Sequence, residues 1–323
     1  MIRVNNLIKS FRSIQRGHTF KDTVRSIFAP TWVDVEAVKG VSFEVEAGEL
    51  IGYLGPNGAG KSTTLKILTG VLFPTSGEVD VMGYTPWKHR KQYVACIGAV
   101  FGQKSQLIWD IPPIDSFYMN KAIYSIPSGD FQARLKEMTT MLDVEEVIQK
   151  PTRNLSLGER MKCEFIMAML HNPPIVFLDE PTIGLDVIAK EKIREFIKEQ
   201  NAQGKTFILT THDLDDVEHL AKRVIVINHG QIVFNDDMNA LKSHLGQKKI
   251  IHLATHRPLS ADLQGNGLTI LQAHSPYDAE IELDVAQLPL NQFIQRINGS
   301  NIRDLSIQEL PIERVIKELY VMP

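Results

Sequence analysis

Gly55-Pro56-Asn57-Gly58-Ala59-Gly60-Lys61-Ser62 spells G-x-x-x-x-G-K-[ST], and Thr63 follows it. Residues of these types at this spacing can hold phosphate. The glycines let successive backbone N–H groups turn toward one anion, where side chains would block the approach. A helix starting at about Lys61 adds its free N–H groups and the positive end of its dipole. Lys61 can reach β- and γ-phosphates, and the Ser62 hydroxyl can ligate Mg2+. A second feature is the run Ile175-Val176-Phe177-Leu178-Asp179-Glu180. A buried strand there delivers two carboxylates at its C-terminal end, where α/β sheets place ligands. Asp179 suits Mg2+ held through water, and Glu180 suits orienting or deprotonating an attacking water. Alone, the acidic pair reads as a solvated turn; beside the glycine-rich loop it reads as catalytic.

The flanking pattern supplies the elements such residues need. Residues 50–54 (LIGYL) form an apolar strand leading into the loop, and Leu65, Ile67, Leu68 and Val71 mark a helix face after it. Residues 41–46 and 97–101 read as further strands. From about 104 to 172 the pattern is mainly helical, with candidates at Ser116–Ile126, Phe131–Leu142 and Leu157–His171. Strands Ile175–Leu178 and Thr206–Thr210 enclose an amphipathic helix from Val187 to Gln200, which implies a parallel sheet. Residues 224–227 and 231–234 flank His229-Gly230, a hairpin signal. Residues 246–323 differ in style. Short strands at Lys249–Leu253, Glu280–Leu283 and Ile302–Ile307 mix with amphipathic helices near Pro289–Ile297 and Pro311–Leu319, so a small α+β appendage is expected, with its boundary at 240–248. Residues 12–36 interrupt a strand region. Within them Phe20, Val24, Ile27 and Phe28 share a helical face beside Lys21 and Arg25; such a helix packs on the domain or lies at a membrane interface.

Composition narrows the class. With 43% hydrophobic and 23% charged residues the chain reads as a globular protein of one or two domains, and collagen, disorder and disulfide scaffolds are excluded. Lys+Arg total 35 against 38 Asp+Glu, which disfavours coating nucleic acid by bulk charge. Cys96 and Cys163 form no metal spacing and read as reduced core residues. No stretch approaches a membrane span, and MIRVNNLIKSFRS lacks a signal h-region.

Further motifs occur in a telling order. Asn154-Leu155-Ser156-Leu157-Gly158-Glu159-Arg160 resembles the LSGGQ signature of the ATP-binding cassette (ABC) family. Gln103 in VFGQKSQ resembles its Q-loop glutamine, Gly184-Leu185-Asp186 its D-loop, and Thr211-His212-Asp213 its switch histidine. The resemblance covers about residues 1–240. It implies an α/β P-loop NTPase fold of the ABC ATPase type. That fold has a mostly parallel core sheet, an antiparallel β edge and a helical subdomain inserted at about 104–172. The α+β accessory domain at 246–323 comes in addition. It implies that two cassettes, as a homodimer or with a closely similar cassette, bind head to tail around two ATP molecules. Ser156 and the Gly158 backbone then contact the γ-phosphate held by the other copy. Gln103 senses Mg2+ and the attacking water, His212 contacts the γ-phosphate and steadies Glu180, and Asp186 works across the interface. Leu157 replaces the usual first glycine and Glu159 the common glutamine. An aromatic at Phe11, or Trp32 if the 12–36 segment reroutes the loop, is expected to stack on adenine.

IRDLSIQELPIERVIKELY and PTIGLDVIAKEKI are similar to bacterial type-2 exporter ATPases. The resemblance thus implies an ATPase at the cytoplasmic face of a bacterial cell membrane, serving two separate permease subunits, with no nucleic-acid partner. Ser105–Ser116, with Trp109 and Pro112-Pro113, is the expected permease contact. The alternatives are a soluble ABC ATPase acting on ribosomes or DNA, a GTPase or small-molecule kinase, and an inactive adaptor. Translation-factor cassettes are paired in one chain and repair types carry long coiled-coil insertions. Asn120-Lys121-Ala122-Ile123 lacks the Asp of N-K-x-D, and Lys61, Asp179, Glu180 and His212 are all present.

Overall fold

The structure, a computed structural model, describes residues 1–14, 32–102, 104–211, 213–243, 248–259, 265–297 and 301–309, with Arg314, Ile316, Leu319 and Tyr320. The chain divides into two compact units, Met1–Asn235 and Asp236–Pro323.

The first unit opens with β1 (Ile2–Ile14), β2 (Trp32–Val45) and β3 (Leu50–Leu54). It continues with α1 (Lys61–Leu68), β4 (Ser76–Val81), α2 (Arg90–Val94) and β5 (Ile97–Phe101). Three helices follow, α3 (Pro113–Ile123), α4 (Ser128–Leu142) and α5 (Leu157–Met169). The chain then returns through β6 (Ile175–Asp179), α6 (Val187–Ala202), β7 (Thr206–Thr211), α7 (Leu214–Leu220), β8 (Arg223–Asn228) and β9 (Gln231–Asp237). The central sheet has the order β5-β6-β7-β3-β8-β9, with β5 through β8 parallel. Every residue of β3 and β7 is buried, which is why these strands read as continuous apolar runs rather than alternations. The strand β9 turns back through His229 and Gly230, whose φ values of 48° and 84° fit a type I′ turn. A separate antiparallel sheet has the order β2-β1-β4. Ile2, Val4, Val45, Ile51, Tyr53, Leu65, Phe177 and Ile208 share one core beneath these sheets, and this core fixes the strand ends that carry the site.

Several expectations change. The strand read at 41–46 begins at Trp32, and residues 12–14 and 32–36 pair rather than interrupt, down to Ile14 opposite Trp32. The ribbon outruns β4, whose pairing with β1 ends at Ile8 opposite Ser76. Phe11, Trp32, Val33 and Val35 favour extended backbone, and cross-strand pairing needs no core beneath it. The basic amphipathic helix containing Phe20, Val24, Ile27 and Phe28 lies outside the described residues. The helix read at Ser116–Ile126 is α3, one turn earlier. Pro113 takes its first position, where a fixed φ and a missing N–H cost nothing. Val71 falls past the end of α1 and is 53% exposed.

The second unit starts with α8 (Met238–Ser243). It then forms a four-stranded antiparallel sheet from β10 (Lys248–Thr255), β11 (Leu268–Ser275), β12 (Asp278–Asp284) and β13 (Ile302–Glu309), ordered β11-β12-β10-β13. Helix α9 (Leu290–Ile297) packs Phe293 and Ile297 onto Ile251, Leu253, Ile281 and Leu283. Strand β11 escapes a periodicity reading because two register shifts break its alternation. The helix read at Pro311–Leu319 lies mostly outside the described residues. Among the described residues, no helix is long and apolar enough to cross a membrane.

Candidate functional site

The loop 55–60 joins β3 to α1, and its backbone shape demands glycine. Gly58 and Gly60 take φ of 84° and 109°, and a Cβ on Gly60 would lie 2.4 Å from the Ala37 carbonyl oxygen. A cavity of about 380 Å³ opens over this loop, lined by Ala37, Pro56, Asn57, Gly58, Lys61, Ser62, Thr63, Glu180 and Ile183 among others. Lys61 is buried and donates from Nζ to the carbonyls of Gly55 (2.6 Å) and Pro56 (3.2 Å). Burial pushes its ammonium below the ordinary value, while the charges of Glu180 and Asp179 pull it back up.

Asp179 ends β6 directly across from α1. The Ser62 hydroxyl donates to Asp179 Oδ1 (3.0 Å), and the Thr210 hydroxyl of β7 donates to the same oxygen (2.6 Å). A hydroxyl and a carboxylate side by side at the mouth of a phosphate loop are the oxygen ligands that Mg2+ accepts, so the residues present fit that ion. Glu180 follows with φ of 54°, an unfavourable conformation for glutamate. Its N–H donates to the Thr210 carbonyl (2.9 Å). Gly102 runs beside it so closely that a Cβ there would lie 2.1 Å from the Glu180 carbonyl oxygen. Gly102 N–H also donates to the Asp179 carbonyl (2.8 Å). Gly102 and Thr210 were missed by sequence reasoning. Thr210 is wholly buried, which its place after Phe207-Ile208-Leu209 in the sequence does not signal.

Ser156 caps α5. Its hydroxyl accepts from Glu159 N–H (3.2 Å), while Glu159 Oε2 accepts from Ser156 N–H (2.8 Å), a reciprocal capping box. Glu159 thus completes the cap that presents Ser156. Leu157 is 38% exposed and leans on the loop before Asp186: its Cδ2 would lie 3.2 Å from a Cβ on Gly184. Gly158 is buried against Ala189, leaving 2.9 Å for a Cβ. Asp186 caps α6, accepting from Ala189 N–H (2.8 Å).

The structure therefore gathers Gly55 through Thr63 with Asp179 and Glu180, and groups Ser156 through Glu159 with Asp186 elsewhere. Gln103 and His212 lie outside the described residues. The helix after His212 is braced from α6 and the loop before Asp186. Lys190 pairs with Asp213, Arg194 with Asp216 (2.7 Å) and Asp215 (2.6 Å), and the Thr182 hydroxyl donates to the fully buried Asp216. Phe11 lies opposite Val35 on the ribbon, with Lys9 Nζ 5.0 Å from its ring centroid. Trp32 pairs at the far end, with Arg12 at 6.0 Å.

Residues 38–183 match the family model described as ABC transporter. Among curated relatives, the ABC transporter ATP-binding protein NatA of Bacillus subtilis is 30% identical over 207 residues, spanning 64% of this chain and 84% of NatA. The linearmycin resistance ATP-binding protein LnrL of the same organism is 28% identical over 289 residues, 87% of this chain and 93% of LnrL. Among solved structures, a dimeric ATP-binding cassette in a post-hydrolysis state with ADP and Pi superposes with a TM-score of 0.61. It is 26% identical, and the match covers 74% of this chain and 99% of that one.

Proposed function

The chain belongs to the ABC transporter family as an ATP-binding, ATP-hydrolysing subunit. On that premise we propose that it works as half of a head-to-tail homodimer, driving export through two separate integral membrane permease subunits at the cytoplasmic face of a bacterial membrane. One observation carries the reading. Among the described residues, those lining the phosphate cradle come from the loop 56–63, Ala37, Glu180 and Ile183, and none from 154–160. Meanwhile the capped helix start at Ser156 is exposed, and beside Asp186 the apolar Val187 and Ile188 are 78% and 81% exposed. One copy thus holds a cradle open on one side and a bare helix end with apolar shoulders. A two-fold axis lets each copy complete the other. The dimeric relative with ADP and Pi supports this arrangement.

In this reading Lys61 moves from the loop carbonyls onto the β- and γ-phosphates, and the 58–62 backbone N–H groups hold the rest of the chain of phosphates. Ser62 and Asp179 would hold Mg2+, which would supply neutralisation of charge on the phosphate oxygens. Glu180 takes a proton from the water whose oxygen attacks the γ-phosphorus, while the bond to the departing ADP oxygen breaks. Gln103 and His212 monitor the cation and the γ-phosphate, and Ser156 with the Gly158 N–H closes on the partner's nucleotide. Phe11 is favoured over Trp32 as the adenine platform. Its cross-strand neighbour Val35 is two residues from Ala37 at the cradle, roughly 7 Å at strand spacing, whereas Trp32 is five residues away, roughly 17 Å.

The permease contact expected at Ser105–Ser116 is supported by Ile108 and Trp109, which are exposed, as are Tyr118, Met119 and Ile123 of α3. A cavity of about 850 Å³ reaches the end of α3 at Ile123 and is lined also by Arg90, Val94, Tyr124 and Arg134 among others. LnrL, named for linearmycin resistance, supports export. The test is turnover by wild type against Glu180→Gln, with the mutant sized in MgATP. Loss of roughly 10²–10⁴ in rate together with a stable dimer is expected. Equal turnover would refute the assigned base.

A further inference from the structure

Glu164, on α5 two turns beyond Ser156, has no part in the chemistry above, yet it is 3% exposed and carries a carboxylate. A buried carboxylate persists only where donors converge on it. Here they come from three consecutive residues just past Gln103. The Ser105 hydroxyl donates to Oε1, the Gln106 N–H lies 3.0 Å from both oxygens, and the Leu107 N–H is 3.4 Å from Oε1. The same segment is held to the sheet from its other side. Lys104 N–H donates to the Phe101 carbonyl (2.9 Å), and the Gln106 side-chain amide donates to the Ala99 carbonyl in β5 (2.6 Å). Farther on, the Arg160 guanidinium of α5 lies 5.6 Å from the Trp109 ring centroid, and Arg153 N–H donates to the Trp109 carbonyl (3.0 Å). The segment therefore bridges the edge strand β5, which leads into Gly102, to the helix that presents Ser156.

We propose that Glu164 is a positioning residue: its carboxylate clasps Ser105, Gln106 and Leu107, and so sets the orientation of α5 in which Ser156 closes on the partner's nucleotide. The inference rests on the head-to-tail reading above. Removing the acceptors orphans the Gln106 N–H and leaves the Ser105 hydroxyl and the Leu107 N–H and carbonyl only their bonds to each other (3.2 Å), so α5 loses its hydrogen-bonded hold on the segment. The cradle of the same chain lies on α1 and β6, so nucleotide binding by one copy is untouched.

The experiment compares Glu164→Leu, which keeps bulk but removes both acceptors, with Glu164→Gln, which keeps one acceptor oxygen. Amide exchange is read at Gln106 and Leu107, affinity is read with a fluorescent ATP analogue, and MgATP-driven dimerisation is read in the Glu180→Gln background. Glu164→Leu should speed exchange at Gln106 by about tenfold or more, at Leu107 by less because its N–H keeps Ser105 Oγ, and raise the concentration needed for dimerisation by about tenfold. Its analogue affinity should stay within about twofold, and Glu164→Gln should restore the parental values. A role in stability alone would lower the melting temperature without moving dimerisation, and that result overturns the proposal. Unchanged exchange overturns it as well. Should the Glu180→Gln parent itself stay monomeric, the head-to-tail reading fails, and exchange alone then decides whether Glu164 makes the clasp. Should Glu164→Leu fail to fold, the exposed Ser105→Ala takes its place, with about threefold faster exchange expected and parental exchange overturning the clasp.

Discussion

Glu180 owes its position to a backbone conformation that glutamate does not favour, held by the Thr210 carbonyl and walled in by Gly102. Strain of this kind persists where surrounding contacts over-determine it. Gly102→Ala should therefore displace Glu180 more than it loosens the fold. The expected outcome is a tenfold or greater fall in kcat, with a stability loss of about 1–3 kcal/mol, read from steady-state kinetics and urea melts. Phe11→Ala should raise KM for ATP by about tenfold with kcat little changed, because a stacked base contributes roughly 1–3 kcal/mol to binding alone. Trp32→Ala should leave both constants in place. At this scale the loop 55–63 and the pair Asp179-Glu180 were legible, because their chemistry is carried by residue types at fixed spacing. Gly102 and Thr210 were not. Each acts through a contact between strands far apart in sequence, and neither belongs to a local pattern.

Capping explains one departure in the 155–160 motif. Glu159 stands where glutamine is common, and it serves as the N3 partner of Ser156, a place that either residue type can fill. Glu159→Gln should change stability by less than about 0.5 kcal/mol, whereas Ser156→Ala should cost about 0.5–2 kcal/mol through the lost cap. Denaturant melts separate the two. The brace between α6 and α7 is a stronger case. Arg194 keeps Asp215 when the fully buried Asp216 is removed, but Asp216→Ala leaves the guanidinium half-paired and the Thr182 hydroxyl without its acceptor, and should cost about 1–3 kcal/mol. Equilibrium unfolding tests it, and a loss under 1 kcal/mol would contradict the brace. Elements were legible where burial on one or two faces writes a period into the sequence, as in β3, β6, β7 and α6. The outer part of the β1–β2 ribbon buries little, so its strand character showed only after pairing was seen. Strand β11 was hidden by its register shifts.

Two acids give the whole molecule opposite responses to pH. Burial works against ionisation of Asp213, but its bond to Lys190 and the charges of Lys190 and Arg194 outweigh it and hold the carboxyl below its ordinary value. That contribution is complete above the ordinary aspartate value and is lost as pH falls through the folded one. Burial raises the carboxyl of Glu164 against its hydrogen bonds, so stability declines as pH rises from the ordinary glutamate value through the raised one. Asp213→Asn should remove part of the acid-side loss, and Glu164→Gln should flatten the decline above it; thermal melts across the mildly acidic range read both. The division of the chain into Met1–Asn235 and Asp236–Pro323 separates the unit that carries the chemistry from a small sheet with its own core. The central claim concerns two copies rather than one, since among the described residues none of 154–160 lines the cradle. It is tested most directly by complementation. Lys61→Ala disables the cradle, Ser156→Arg disables the helix end, and each variant alone should be inactive. Mixed, they form dimers in which the cradle of the second faces the intact helix end of the first, so ATP hydrolysis should return. A mixture no more active than its two components would contradict the account.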